Sequence, residues 1–119
     1  MGRKGFPYYW GAIAVTKCIS AVVLAFLPGE NADRARVDTC SGWLRHMGRF
    51  YESGTYTFAF DTYLTGGDAE VFLLDQEKQV LLRLNRYSPY QSIYIDGENS
   101  RYYLHWEFDH ASGECELRW

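Results

Sequence analysis

Positive charge is what this chain has little of: 12 lysines and arginines stand against 15 aspartates and glutamates in 119 residues, for a net charge of -3. Without a basic excess there is no field to condense onto phosphate, so no nucleic-acid partner is expected. No segment repeats at a fixed period and no low-complexity tract occurs, which sets aside solenoids and mucin-like stalks. No serine sits in a nucleophile-elbow context, and the three histidines show no spacing that marks a general base, so the chain is not expected to be an enzyme. Its length leaves no room for a second domain, but a chain of this size buries roughly two thirds of its unfolded surface, enough for a real core.

What the chain does have is aromatic residues, 18% of the total and ten of them tyrosine, a side chain that can bury its ring and keep its hydroxyl wet. They fall in short runs that alternate apolar with polar, the period of a strand with one face on a core and the other on solvent. Trp43 to Tyr51, Thr55 to Thr65, Ala69 to Leu74, Val80 to Leu84, Ser92 to Asp96, Arg101 to Phe108 and a last strand through Glu114-Cys115-Glu116-Leu117 are separated by turn residues. Gly66-Gly67-Asp68 is the strongest of these turn signals and predicts a hairpin. Seven or so strands at this spacing predict an all-β class, an antiparallel two-sheet β-sandwich over residues 42–119.

The first forty residues read differently. Arg3 and Lys4 precede an apolar stretch, Cys18 to Leu27, which Pro28-Gly29 stops, the layout of a signal peptide over residues 1–28. No clean small-x-small cleavage pair follows. Tyr8 to Leu27 also has the length of a membrane anchor, although Lys17 near its middle opposes insertion by about 2.5–3.5 kcal/mol. A third reading makes it a buried helix or strand of the domain itself. The first two predict an apolar N-terminal helix, a secreted or membrane-anchored protein, and contact with a membrane only through this segment. Residues 29–41 are polar, mixed in charge and without a period, and read as a linker.

Gly67-Asp68-Ala69-Glu70-Val71-Phe72-Leu73-Leu74-Asp75 resembles the G-D-A-D-L-Y-L-x-D strand of bacterial pre-peptidase C-terminal domains. Arg101-Tyr102-Tyr103-Leu104 and Ser112-Gly113-Glu114-Cys115-Glu116-Leu117 resemble their closing strands, and Tyr56-Thr57-Phe58 their opening one. Glu70 and Cys115 depart from the pattern. The resemblance implies a secreted, jelly-roll-like sandwich related to collagen-binding modules that binds an extracellular polymer or protein through tyrosines on a sheet, and a monomer is expected. Tyr87, Tyr90, Tyr94, Tyr102 and Tyr103 are the expected contacts. It further implies calcium as a candidate ion at Asp68 and Glu70, since carboxylate oxygens suit that hard cation; an aspartate after Gly-Gly equally serves to shape its turn. A structural, envelope-associated interaction domain is the alternative, and a small metal-dependent hydrolase is the third reading.

Two further groups stand out. Alternation puts His105, Glu107 and Asp109 on one face of their strand and Leu104, Trp106 and Phe108 on the other; the first three read as a solvated face rather than a metal site. Removing Cys18 with a signal segment would leave Cys40 and Cys115, which could pair and close a loop worth roughly 4 kcal/mol, or remain free thiols.

Overall fold

The computed structural model describes residues 31–119 in full and, as backbone strands, residues 13–17 and 20–24. All regular structure among them is antiparallel strand: β1 (Ile13–Lys17), β2 (Ser20–Leu24), β3 (Ala32–Met47), β4 (Gly54–Leu74), β5 (Val80–Leu84), β6 (Tyr90–Ile95) and β7 (Tyr103–Arg118). Three of these are far longer than an ordinary strand: β4 has 21 residues and β3 and β7 have 16 each. They run side by side in the order β3-β7-β4, and the shorter strands flank them.

Each long strand bends part-way, so one sheet becomes two facing halves. In the first half β2 borders residues 34–38 of β3, residues 32–37 of β3 border residues 113–118 of β7, then come residues 59–64 of β4, and β6 pairs residues 54–59. In the second half the order is β1, residues 42–47, residues 103–108, residues 68–74 and β5. The halves meet across the core, where Phe60 of the first lies edge-on to Trp106 of the second, centroids 5.9 Å apart.

The bend is built from bulges at one level. Register slips between Val37 and Gly42 in β3 and between Leu64 and Asp68 in β4, and Thr39 and His110 hold positive φ in β3 and β7. An extra residue in a strand reverses which parity faces inward. Accordingly β3 buries Ala35 and Val37 but then Leu44 and His46, β4 buries Phe58 and Phe60 but then Val71 and Leu73, and β7 buries Trp106 and Phe108 but then Cys115 and Leu117. Where the bulges open the ladder, two serines close it reciprocally: the Thr39 amide donates to Ser112 Oγ at 2.9 Å, and the His110 amide to Ser41 Oγ at 3.0 Å. Gly67, at φ 72°, lies so close to β7 that a Cβ there would overlap the His110 carbonyl oxygen.

Several expectations change. Gly66-Gly67-Asp68 is a bulge inside β4, not a hairpin: the same left-handed glycine that can turn a chain here kinks it against a neighbouring backbone. Ser112-Gly113 is likewise internal to β7, so the sandwich is a folded single sheet rather than two sheets joined by turns. Residues 32–41, read as linker, form the first part of β3, their alternation hidden because the outward positions are charged and the inward ones small. The signal peptide or anchor expected over residues 1–28 lies mostly outside the described residues. Where its backbone is described it is strand, not helix, and pairs along β3. Among the described residues no helix is long and apolar enough to cross a membrane.

The Cys40–Cys115 bridge does not form. Cys115 is a free thiol whose burial pushes it up to about 12, and Cys40 is held in a disulfide. Cys115 stands opposite Ala35 and Thr62, whereas Cys40 stands opposite Ala111. Four residues of strand, about 13 Å, separate those levels, beyond the roughly 7 Å Cα separation a disulfide spans. Cys18 lies outside the described residues.

Candidate functional site

The outer faces of the two halves offer different chemistry. On the first, Arg34 pairs with Glu116 at 2.9 Å, Arg36 with Glu114 at 2.9 Å, and Arg118 with Asp61. Beyond this ladder lie Thr55 and Thr57 of β4 and the edge strand β6, where Tyr90 and Tyr94 are 65% and 63% exposed. Tyr87, 81% exposed, precedes them at the tip of the β5–β6 connection.

That connection is held by Asn85. Its Oδ1 accepts from the Tyr87 and Ser88 amides, both at 2.9 Å, an Asx turn, while its Nδ2 reaches down to Glu70 at 3.0 Å. The turn therefore holds Tyr87 above the outer face of the second half, with the Arg86 guanidinium 5.3 Å from its ring centre. Beneath lies a groove of about 420 Å³ lined by Asp68, Glu70, Arg83, Asn85, Tyr87, Glu107 and Asp109, with Ala69 and Phe108 at its base.

The register creates the groove's charge. Asp68 stands opposite Asp109 and Glu70 opposite Glu107, two like-charge pairs that destabilise a sheet unless compensated. Arg86 takes Asp68 at 2.9 Å, and Arg83 donates to Glu70 through Nε at 2.8 Å. Glu107 accepts from His105 Nε2 at 2.9 Å and Asp109 contacts His110 at 2.7 Å. Because Arg45 Nε can only donate, its 3.2 Å bond to His105 Nδ1 makes that nitrogen an acceptor and leaves the proton on Nε2 for Glu107. His105 also stacks on Trp43, centroids 5.2 Å apart, and meets Phe72 edge-on at 5.9 Å.

The five tyrosines do not share one surface. Tyr87, Tyr90 and Tyr94 follow one edge of the molecule. Tyr102 is structural, since its hydroxyl accepts the Asp96 amide at 3.0 Å and its ring meets Phe50 edge-on. Tyr103 lies on the other half, opposite Met47 and Leu74, with Lys78 Nζ 4.3 Å from its ring centre. Tyr102 precedes β7, which begins at Tyr103, so the two neighbours are held by different partners. Asp68 and Glu70 both face the groove, but each is engaged by a guanidinium. Among the described residues no cluster of three or more histidine, cysteine or acidic side chains is placed to hold a metal ion.

His105, Glu107 and Asp109 do share the outer face, and Leu104, Trp106 and Phe108 are buried. The outer face is not simply solvated, however: His105 is only 7% exposed, covered by Trp43, Arg45 and Phe72. Trp43, Phe72, Arg83 and Asn85 were missed from sequence. Trp43 carried a signal in retrospect, as a tryptophan on the same parity as charged Arg45.

A second polar group is internal. Asp33 and His46 are buried, with Arg49 Nη2 2.9 Å from Asp33 Oδ1. Trp106 Nε1 donates to His46 Nε2 at 3.2 Å, so His46 carries its proton on Nδ1, 3.1 Å from the Met47 carbonyl. Burial holds the His46 pKa below its ordinary value, outweighing the nearby Asp33 charge and the Met47 bond, both of which raise it.

No family model matches the chain, so the likeness to pre-peptidase C-terminal domains has no family match behind it, and no curated protein matches it either. Solved structures similar to it include the enzymatically active domain of tailspike protein 4 from bacteriophage CBA120 (9% identity, TM-score 0.43, covering 91% of this chain and 18% of that one), a CBM4 structure (11%, 0.42, 96% and 78%), and a family 35 carbohydrate binding module from Clostridium thermocellum (7%, 0.39, 89% and 96%). This chain thus spans under a fifth of the tailspike chain. All three TM-scores lie below 0.5, so the likeness carries neither ligand nor activity across.

Proposed function

We propose that this chain is a non-catalytic binding module that holds an extracellular polymer or protein against the tyrosine edge formed by Tyr87, Tyr90 and Tyr94. The observation that carries this reading is their exposure, 81%, 65% and 63%, on one strand and the turn that enters it. Exposed large aromatics cost solvation without contributing to the core, and rigid tyrosines on a sheet give contact area with little entropy loss. The disulfide at Cys40 supports an oxidising compartment outside the cytoplasm.

The test is co-sedimentation of the folded protein with insoluble cellulose, chitin, peptidoglycan and fibrillar collagen, repeated with Tyr90→Ala and Tyr94→Ala. Sedimentation with at least one polymer, reduced tenfold or more in the variants, is the expected result. Retention equal in wild type and variants, or none on any polymer, overturns the reading.

A further inference from the structure

We infer that the groove beneath Tyr87 is a subsite for a neutral, hydroxyl-rich saccharide, and that it selects against acidic polysaccharides. The inference deepens the binding reading above by naming a ligand class and a second contact surface continuous with the tyrosine edge through Tyr87.

Three features of the groove lead there. The first is charge. Four carboxylates, Asp68, Glu70, Glu107 and Asp109, face two guanidiniums, Arg83 and Arg86, while Arg45 donates to His105 Nδ1 and His105 Nε2 donates to Glu107. The excess is negative, so a uronate or sulfated chain meets repulsion, whereas hydroxyl donors meet acceptors.

The second is the arrangement of donors and acceptors. Arg83 and Asn85 place all their donors on Glu70 Oε2, which leaves the lone pairs of Oε1 open on the other side. Vicinal hydroxyls can then donate to Glu70 and Glu107, which register sets directly opposite each other. Their arginine and histidine partners hold both side chains in place before the ligand arrives, which lowers the entropy lost on binding.

The third is the aromatic rim. Tyr87 is held by the Asn85 turn at the groove's mouth and is exposed at its ring face apart from the Arg86 contact. A flat, partly wet ring above a row of hydroxyl acceptors matches a sugar, whose C–H face is apolar and whose rim is polar. The volume of about 420 Å³ suits a short saccharide segment rather than a protein surface.

Affinity gel electrophoresis of the full chain through hydroxyethylcellulose, arabinoxylan, galactomannan and polygalacturonate tests this, with Tyr87→Ala, Glu107→Gln, Tyr90→Ala and Tyr94→Ala beside wild type. Tyr87 and Glu107 are both exposed, and circular dichroism checks that their variants fold. The expected result is retardation by at least one neutral polysaccharide and none by polygalacturonate, with affinity falling tenfold or more in both Tyr87→Ala and Glu107→Gln. Retardation by polygalacturonate alone overturns the selectivity and with it the inference. Neutral retardation lost in Tyr90→Ala or Tyr94→Ala but kept in Glu107→Gln overturns the groove while leaving the tyrosine edge standing. No retardation by any gel overturns the saccharide class; binding to collagen in the sedimentation assay would then show that the module itself still binds.

Discussion

The two outer faces of this sheet are made by the same three strands, yet they solve charge in opposite ways. On the first half three arginines, Arg34, Arg36 and Arg118, meet three acids, Glu116, Glu114 and Asp61, with Arg118 also reaching Glu116 at 3.8 Å, so the ladder's charges balance. On the second half the register sets acid against acid, and compensation comes from β5, the β5–β6 turn and histidine rather than from the neighbouring long strand. A ladder of matched pairs leaves its charged groups nothing to offer, so that face presents the tyrosines of β6 instead. Acids held by partners from one side keep capacity for a ligand.

The comparison depends on the corner that gives the strands two faces at all, and breaking it carries the largest expected effect. Gly67→Val places a β-branched residue at φ 72° with its Cβ on the His110 carbonyl oxygen. Positive φ for such a residue and the forced backbone shift together cost about 3 kcal/mol or more. A urea denaturation midpoint within error of wild type would show that the corner can relax without the glycine. The serine pair is the milder version of the same test. Ser41→Ala leaves the His110 amide without its partner at the bulge and is expected to cost about 1 kcal/mol.

The core between the faces supplies a pH signature. His46 has its pKa lowered by burial, so as pH falls below about 6.5 the unfolded chain takes up a proton that the native state resists. Stability is therefore fully present above that pH and declines below it, until the depressed native pKa is reached. Thermal melts from pH 8 down to pH 5 should show a falling Tm in wild type and a flatter profile in His46→Gln. Parallel profiles would assign the acid sensitivity elsewhere.

How much of this was legible follows from what a strand period encodes. The all-β class, the split of Leu104, Trp106 and Phe108 from His105, Glu107 and Asp109, and the extent of β5 came directly from alternation. Bulges were not legible. Gly-Gly-Asp and Ser-Gly are equally good turn and bulge sequences, and only the neighbour they approach decides between them. The first part of β3 was obscured because its inward residues, Ala35 and Val37, are small and its outward ones charged, which resembles a linker. The groove was hidden for a related reason: pairing residue 70 with 107, and carrying Arg83 and Asn85 across to them, requires knowing register, which no local pattern fixes.

Two further substitutions, one on each face, sharpen the contrast between them. Trp43 stacks on His105 and lies under Arg45, so Trp43→Ala uncovers a buried ring and loses aromatic contact, at about 1–3 kcal/mol. Arg36 and Glu114 are both largely exposed, so Arg36→Ala removes a pair that solvent and salt already weaken, with an expected cost of at most about 0.5 kcal/mol. Urea denaturation at low and high salt reads both. A Trp43→Ala loss insensitive to salt beside a near-silent Arg36→Ala supports a packed second face and a merely matched first one. If Arg36→Ala proves as costly as Trp43→Ala, and its cost shrinks with salt, the ladder is a cooperative network. The first face would then owe its stability to charge as much as the second does to packing.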